Sequence, residues 1–105
     1  MLSLLIPKIK KKKIIKLKDD FSFNLQKKEL YLDNTIINIT KREVNLLNFL
    51  LEQEEYMANN ITIKKLLWNE EVSDERLRTF IRRLRAKTSK SLIINSSGLG
   101  YGLAT

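Results

Sequence analysis

Cysteine and histidine are both absent from this 105-residue chain, proline occurs once and glycine three times. Without cysteine there is no disulfide, no thiolate zinc site and no thiol nucleophile. Without histidine the commonest general base and metal ligand is missing as well, so catalysis would have to rest on carboxylates, lysine or hydroxyls. No acid–base pair of those types is assembled by the sequence, and neither enzymatic activity nor a cofactor or metal is expected. Glu52, Glu54 and Glu55 form an acidic cluster, but three glutamates at a fraying helix end lack the fixed cage a metal needs, so a surface patch is expected. Long apolar runs are missing too: none approaches the roughly 18 residues of a membrane span. In "MLSLLIPK" the apolar run is too short for a signal peptide, and the lysines follow it instead of preceding it. A cytoplasmic location away from the membrane is the expectation.

What the chain has is positive charge. Twenty lysines and arginines against twelve acidic residues leave a formal net charge of +8, which suggests a polyanionic partner. A chain of this length is expected to form one domain, and folding can bury roughly 65% of its unfolded surface, enough for a core without metal or disulfide.

Residues 1–13 carry "KIKKKK", where like charges repel and extend the backbone, so a basic lead-in or linker is expected ahead of a domain at 14–105. From residue 14 to 39 the pattern has a period near two. "IIKLK", "FSFNL", "LYL" and "IINI" are separated by the turn-like Asp19-Asp20, Gln26-Lys27-Lys28 and Asp33-Asn34, which predicts a four-stranded antiparallel meander. At Thr40 the period changes. Thr40 and Glu43 form a capping-box pair, Ile39 and Val44 a hydrophobic staple, and Val44, Leu47, Leu50 and Leu51 a stripe, predicting a helix over about 41–54. "YMANN" breaks it. Asn59 or Asn60 then caps a short helix ending near Trp68, with Ile63, Leu66 and Leu67 inward. Ser73 caps a third helix reaching about Thr88, its first turn suited by Asp74 and Glu75. "SLIIN", a Ser-Ser-Gly turn and "YGLA" close the chain as a hairpin.

The third helix, about 74–88, holds five of the six arginines in "RLRTFIRRLR". On a wheel, Leu77, Phe80, Ile81, Leu84 and Thr88 fall within one arc of about 100°, which faces the core. Arg76, Arg78, Arg82 and Arg83 spread over the far face, Arg85 sits on a flank, and the small Thr79 and Ala86 occupy the centre. Arg78 and Arg82, like Arg82 and Arg85, are like charges at spacings that cost a few tenths of a kcal/mol each. Arginine also differs from lysine in gripping phosphate, or guanine O6 and N7, with a planar fork. A short helix, a tight connection and a basic amphipathic helix form a helix-turn-helix, and the hairpin makes it winged. The pattern points to a helix seated in a DNA major groove.

"ITKREVNLLNFLL", Trp68, "FIRRLRAK" and "GLGYGL" together resemble the winged-helix output domains of OmpR/PhoB-type response regulators, over about residues 14–104. The resemblance implies an α+β fold: a winged helix-turn-helix with an N-terminal four-stranded antiparallel sheet, three helices and a C-terminal hairpin wing. It implies sequence-specific binding of double-stranded DNA, as head-to-tail homodimers on direct repeats, and contact with RNA polymerase. By position it implies base contacts from Arg83, with Thr79, Arg78 and Arg76 also facing the groove. Arg82 and Arg85 match neighbours that serve phosphates or packing, and Lys87 is taken at a phosphate. Trp68 and Tyr101 match positions that can touch the backbone, although such residues are more often core than contact, and Asn95, Ser97 and Gly98 match wing positions. Three departures stand out. Ser97 occupies a wing position that is often arginine, Glu75 stands where arginine is common, and the connection after Trp68 is about two residues short. "LLIPKIKKKK" resembles the end of a receiver domain plus linker, which implies an output domain of a longer regulator; the alternative is a free-standing regulator.

Two other readings compete. A basic RNA-binding or ribosome-associated protein would need aromatics splayed for stacking, and Phe21, Phe23 and Tyr31 are the candidates, although alternation puts Phe21 and Phe23 on one face against the first helix. A protein-interaction module would use the wing or a sheet edge. A phosphate loop at "GLGYG" is not expected, because no helix follows to supply amides.

Overall fold

The computed structural model describes residues 13–105; the expected basic lead-in, apart from Lys13, lies outside the described residues. The first four strands are β1 (Ile14–Lys16), β2 (Phe21–Asn24), β3 (Glu29–Leu32) and β4 (Thr35–Ile37), joined in that order as an antiparallel meander. The register aligns Ile15, Phe23, Leu30 and Ile37 across one face, where Phe23 and Leu30 are fully buried. The turns rest on residues that tolerate left-handed backbone, Asp19, Asp20 and Asp33 among them, at φ of 60°, 66° and 56°. The Asn24 side chain accepts from the amides of Gln26 (2.9 Å) and Lys27 (2.8 Å), which folds the chain back between β2 and β3.

Helix α1 (Lys41–Leu51) begins on the expected capping box: the Glu43 amide donates to Thr40 Oγ1 (3.1 Å), and the Thr40 amide to Glu43 Oε1 (2.8 Å). Its buried stripe is Glu43, Leu46, Leu47 and Leu50, not the expected Val44, Leu47, Leu50 and Leu51. The stripe starts one residue earlier because Glu43 can be buried, its carboxylate being satisfied by the Thr40 amide and by Lys87 Nζ at 2.8 Å. Val44 and Leu51 sit half-buried at the margin of the core. The helix stops at Leu51 rather than near 54, and the chain turns through Glu55 and Tyr56 at positive φ into a strand the sequence did not announce, β5 (Met57–Asn59).

Helix α2 (Asn60–Leu67) is capped by Asn59, whose Oδ1 accepts from the Thr62 amide at 2.8 Å. Ile63 and Leu67 point inward, but Leu66 is 39% exposed, since it lies roughly 80° from the centre of the arc those two define. Helix α3 (Asp74–Lys87) starts at Ser73, whose Oγ accepts from the Arg76 amide, and buries Leu77, Ile81 and Leu84.

Strands β6 (Ile93–Ser96) and β7 (Gly100–Leu103) form the expected hairpin, and β5 joins it to give a three-stranded sheet in the order β5-β7-β6. Glycine is required at the β5–β7 contact. A Cβ on Gly100 would stand 2.1 Å from the Ala58 carbonyl oxygen, and one on Gly102 2.6 Å from Met57 Cγ. One hydrophobic cluster runs from Phe21, Phe23 and Leu30 through Leu47 and Ile63 to Leu84, Ile93 and Leu103, so all three helices and both sheets share a core. The architecture is a winged helix-turn-helix with an N-terminal four-stranded sheet and a C-terminal hairpin.

Candidate nucleic-acid interface

The buried side of α3 fixes which way its other side points. With Leu77, Ile81 and Leu84 inside, Arg76, Arg78, Arg82, Arg83 and Ala86 are exposed and Thr79 is half-buried. The arginines then divide by what they touch. Arg82 and Arg83 make no hydrogen bond or ion pair among the described residues, and both stand open to solvent. Arg78 is paired by Glu75 at 2.9 Å, the i,i+3 contact that relieves its repulsion from Arg82. Arg76 lies 5.3 Å from the Trp68 ring centroid and 3.5 Å from a Glu70 carboxylate oxygen.

Four of the residues considered for phosphates make contacts within the protein. Arg85 donates through Nε (3.0 Å) and Nη2 (2.7 Å) to the Ile93 carbonyl, and its guanidinium stands 5.9 Å from the Tyr101 ring centroid. It ties α3 to β6, because its flank position turns it toward the wing. Lys87 is held by the buried Glu43. Trp68 is 7% exposed, stacks edge-on against Phe80 at 5.6 Å, and its indole Nε1 is buried without a partner, so that N–H does not face solvent. Tyr101 is 5% exposed in the core of the three-stranded sheet.

The wing tip is ordered by its own side chains. The Gly98 amide donates to Asn95 Oδ1 (2.7 Å), with Ser97 at φ 52° and Gly98 at φ 76°. Asn60 at the start of α2 braces the turn, its amide donating to the Leu99 carbonyl (3.0 Å) and its side chain to that of Gly98 (3.2 Å). Leu99 projects at 73% exposure. Across the helix-turn-helix, Lys64 of α2 pairs with Asp74 of α3. That hydrogen bond, and the Lys64 charge behind it, hold the Asp74 carboxyl below the usual aspartate range.

Sequence reasoning passed over one residue at this face. Arg42, at the start of α1, donates through Nε to the Leu67 carbonyl (2.9 Å), with its guanidinium 5.4 Å from the Trp68 ring centroid. The signal available was "KRE", two cations just inside a capped helix start. Among the described residues no cluster could hold a metal ion, and no helix is long and apolar enough to cross a membrane. Of the three aromatics an RNA-binding sheet would offer, Phe21 and Phe23 are buried at 4% and 0% exposure, so neither has a face for stacking a base, while Tyr31 is half-buried with its hydroxyl donating to Glu29 Oε1 at 2.6 Å.

A helix-turn-helix whose second helix bears a cationic outer face, flanked by a braced wing, defines a DNA-binding winged-helix domain. Residues 33–103 match the family described as "Transcriptional regulatory protein, C terminal", and the chain belongs to that family of OmpR/PhoB-type DNA-binding output domains of transcription regulators. Relatives include the probable transcriptional regulator ycf27 of Cyanidium caldarium, 33% identical over 92 residues, covering 76% of this chain and 37% of the relative. Another is the transcriptional regulatory protein QseB of Haemophilus influenzae, 35% identical over 78 residues, covering 72% of this chain and 35% of the relative. The chain thus spans about a third of the length of the curated relatives it matches. Among solved structures, the fold is similar to the Thermotoga maritima response regulator DrrB, an OmpR/PhoB homolog (TM-score 0.75, 22% identity, 90% of this chain and 46% of that one). It is also similar to the DNA-binding domain of CpxR from E. coli (TM-score 0.67, 18% identity, 86% of this chain and 94% of that one).

Proposed function

We propose that this domain reads double-stranded DNA by seating α3 in the major groove, with Arg83 and Thr79 at base edges and Arg82 at a phosphate. The observation that carries the assignment is the division of the arginines. Arg82 and Arg83 are exposed and unpaired among the described residues, whereas Arg85 and Lys87 are bonded within the protein. Arg83 shares the open face with the small Thr79 and Ala86, where the backbone can approach a groove and a bidentate fork can reach guanine. Arg76 and Arg78 flank this centre and reach the groove if their contacts to Glu70 and Glu75 give way. Arg85, Lys87, Trp68 and Tyr101 act as positioning residues that hold α3 and the wing. Asn95, Ser97 and Gly98 bring the wing to an adjacent phosphate, without an arginine for the minor groove.

As part of a longer regulator, the domain would work in the cytoplasm, where family likeness suggests head-to-tail homodimers on direct repeats. RNA polymerase is the further partner that likeness suggests, through the connection between α2 and α3. Selection of duplexes from a random pool tests the reading. A direct repeat should be enriched, excess RNA should compete poorly, and the same selection with Arg83→Ala should return a degraded motif. An unchanged motif with Arg83→Ala removes α3 from the role of reader.

A further inference from the structure

An open groove of about 830 Å³ lies between the start of α1 and the outer face of α3. Its walls bring together Lys41 and Arg42 from α1 with Arg76, Arg83 and Lys87 from α3, against one carboxylate, Glu43. Glu43 is 3% exposed and already holds the Thr40 amide and Lys87, and Arg76 meets Glu70, which leaves Lys41, Arg42 and Arg83 without an acidic partner among the described residues. Such a concentration of one charge sign along a groove attracts a polyanion.

Arg42 is the best prepared of these cations. It is exposed, yet its Nε is fixed on the Leu67 carbonyl at the end of α2, and its guanidinium lies over the Trp68 ring that Arg76 also faces. Those contacts use one of its five N–H donors and leave the terminal amino groups without a partner among the described residues. A guanidinium already held in place has little side-chain freedom left to lose when it engages an anion. Lys41 beside it is exposed and likewise has no partner among the described residues.

We propose that Arg42, assisted by Lys41, grips a phosphodiester of duplex DNA from outside the helix-turn-helix, so that the start of α1 forms a second track for the strand flanking α3. This rests on the DNA-binding reading of α3. It adds affinity and register, not base preference, because a phosphate carries no sequence.

The test is an anisotropy titration across a range of salt, using the duplex selected by the wild-type domain and a random duplex, with wild type, Arg42→Ala, Lys41→Ala and Arg83→Ala. Arg42→Ala should flatten the dependence of log K on log salt by about 0.9, the value for one phosphate contact. It should weaken both duplexes by the same factor, whereas Arg83→Ala narrows the gap between them. A single methylphosphonate walked through the flanks supplies a readout that a merely structural role would not move. At one flanking position it should weaken wild type and leave Arg42→Ala unaffected. Lys41→Ala leaves the Leu67 and Trp68 contacts intact, and should flatten the slope even if Arg42→Ala fails to fold. An unchanged slope in the folded variants, with every methylphosphonate weakening wild type and variant alike, overturns the proposal. If Arg83→Ala still relaxes preference in that case, the reading of α3 stands. Failure of the wild-type domain to bind any duplex overturns both.

Discussion

Arg83 and Arg85 stand two residues apart on one helix and meet opposite surroundings. Arg83 is exposed, without a hydrogen bond or ion pair among the described residues, and lines an open groove with Thr79 and Ala86. Arg85 is half-buried, gives two hydrogen bonds to the Ile93 carbonyl and covers the Tyr101 ring. A step of two residues turns the side chain by about 200°, from the outer face to the seam with the wing. Formal charge along a helix therefore overstates the charge offered to a ligand. Of the basic residues on α3, Arg85 and Lys87 are bonded to other parts of the fold, Arg76 and Arg78 are paired by Glu70 and Glu75, and Arg82 and Arg83 are unpaired among the described residues.

The contrast can be broken from its apolar side first. Leu84→Ala removes a fully buried side chain beneath both arginines and should destabilise the fold by about 2–5 kcal/mol in urea unfolding. Next come the arginines themselves. Arg85→Ala should cost about 1.5–3 kcal/mol of stability, the worth of charged hydrogen bonds, and leave duplex preference intact in conditions where the variant is folded. Arg83→Ala should do the reverse, with stability unchanged within about 0.5 kcal/mol and a loss of about 1–3 kcal/mol on the preferred duplex. If both variants lose stability equally and neither loses preference, the division between them is false. Glu75→Gln sharpens the comparison by releasing Arg78. Duplex affinity should rise by at most about 1 kcal/mol and its salt dependence steepen, since the exposed pair holds Arg78 only weakly.

The smallest effect belongs to Asp74. Its carboxyl is held below the usual range first by the Lys64 hydrogen bond and then by the Lys64 charge. A lowered folded-state value means the group favours folding above the ordinary aspartate range, and that contribution vanishes as pH falls through the lowered value. On acidification from neutral pH, the stability advantage of wild type over Asp74→Asn should shrink to nothing; a difference that persists in acid would point to something other than ionisation. The pair is solvent-exposed, so the advantage is slight at any pH.

How much of this was legible in the sequence depended on whether the cause was local. Thr40 with Glu43, the pair Asn59 and Asn60, and Ser73 announced three helix starts, because a cap is made by residues within three positions of each other; the structure uses Asn59 of the pair. The alternation of "FSFN" and the wheel of α3 placed Phe23, Leu77, Ile81 and Leu84 inside. Strand β5 was not legible: "MAN" has no β-branched or aromatic residue, and it is extended because β7 pairs with it from more than forty residues away. Burial of Glu43 was missed for the same reason, its partner Lys87 being remote in sequence. In the candidate site the outward face of α3 was readable from periodicity. The partners that engage Arg85 and Lys87 are a backbone carbonyl and a buried acid, which no spacing rule reveals.

Consider lastly the two glycines of β7 that lie against β5. At Gly100 and Gly102 nothing larger than hydrogen fits, while Tyr101 between them turns its ring the other way. If β7 were to slide by one residue, a tyrosine or leucine side chain would arrive where only hydrogen is admitted. A slip of one residue is thus excluded by collision. The pairing joins the end of the chain to residues 57–59, more than forty positions away, and this closure sets the hairpin beside α2 and α3.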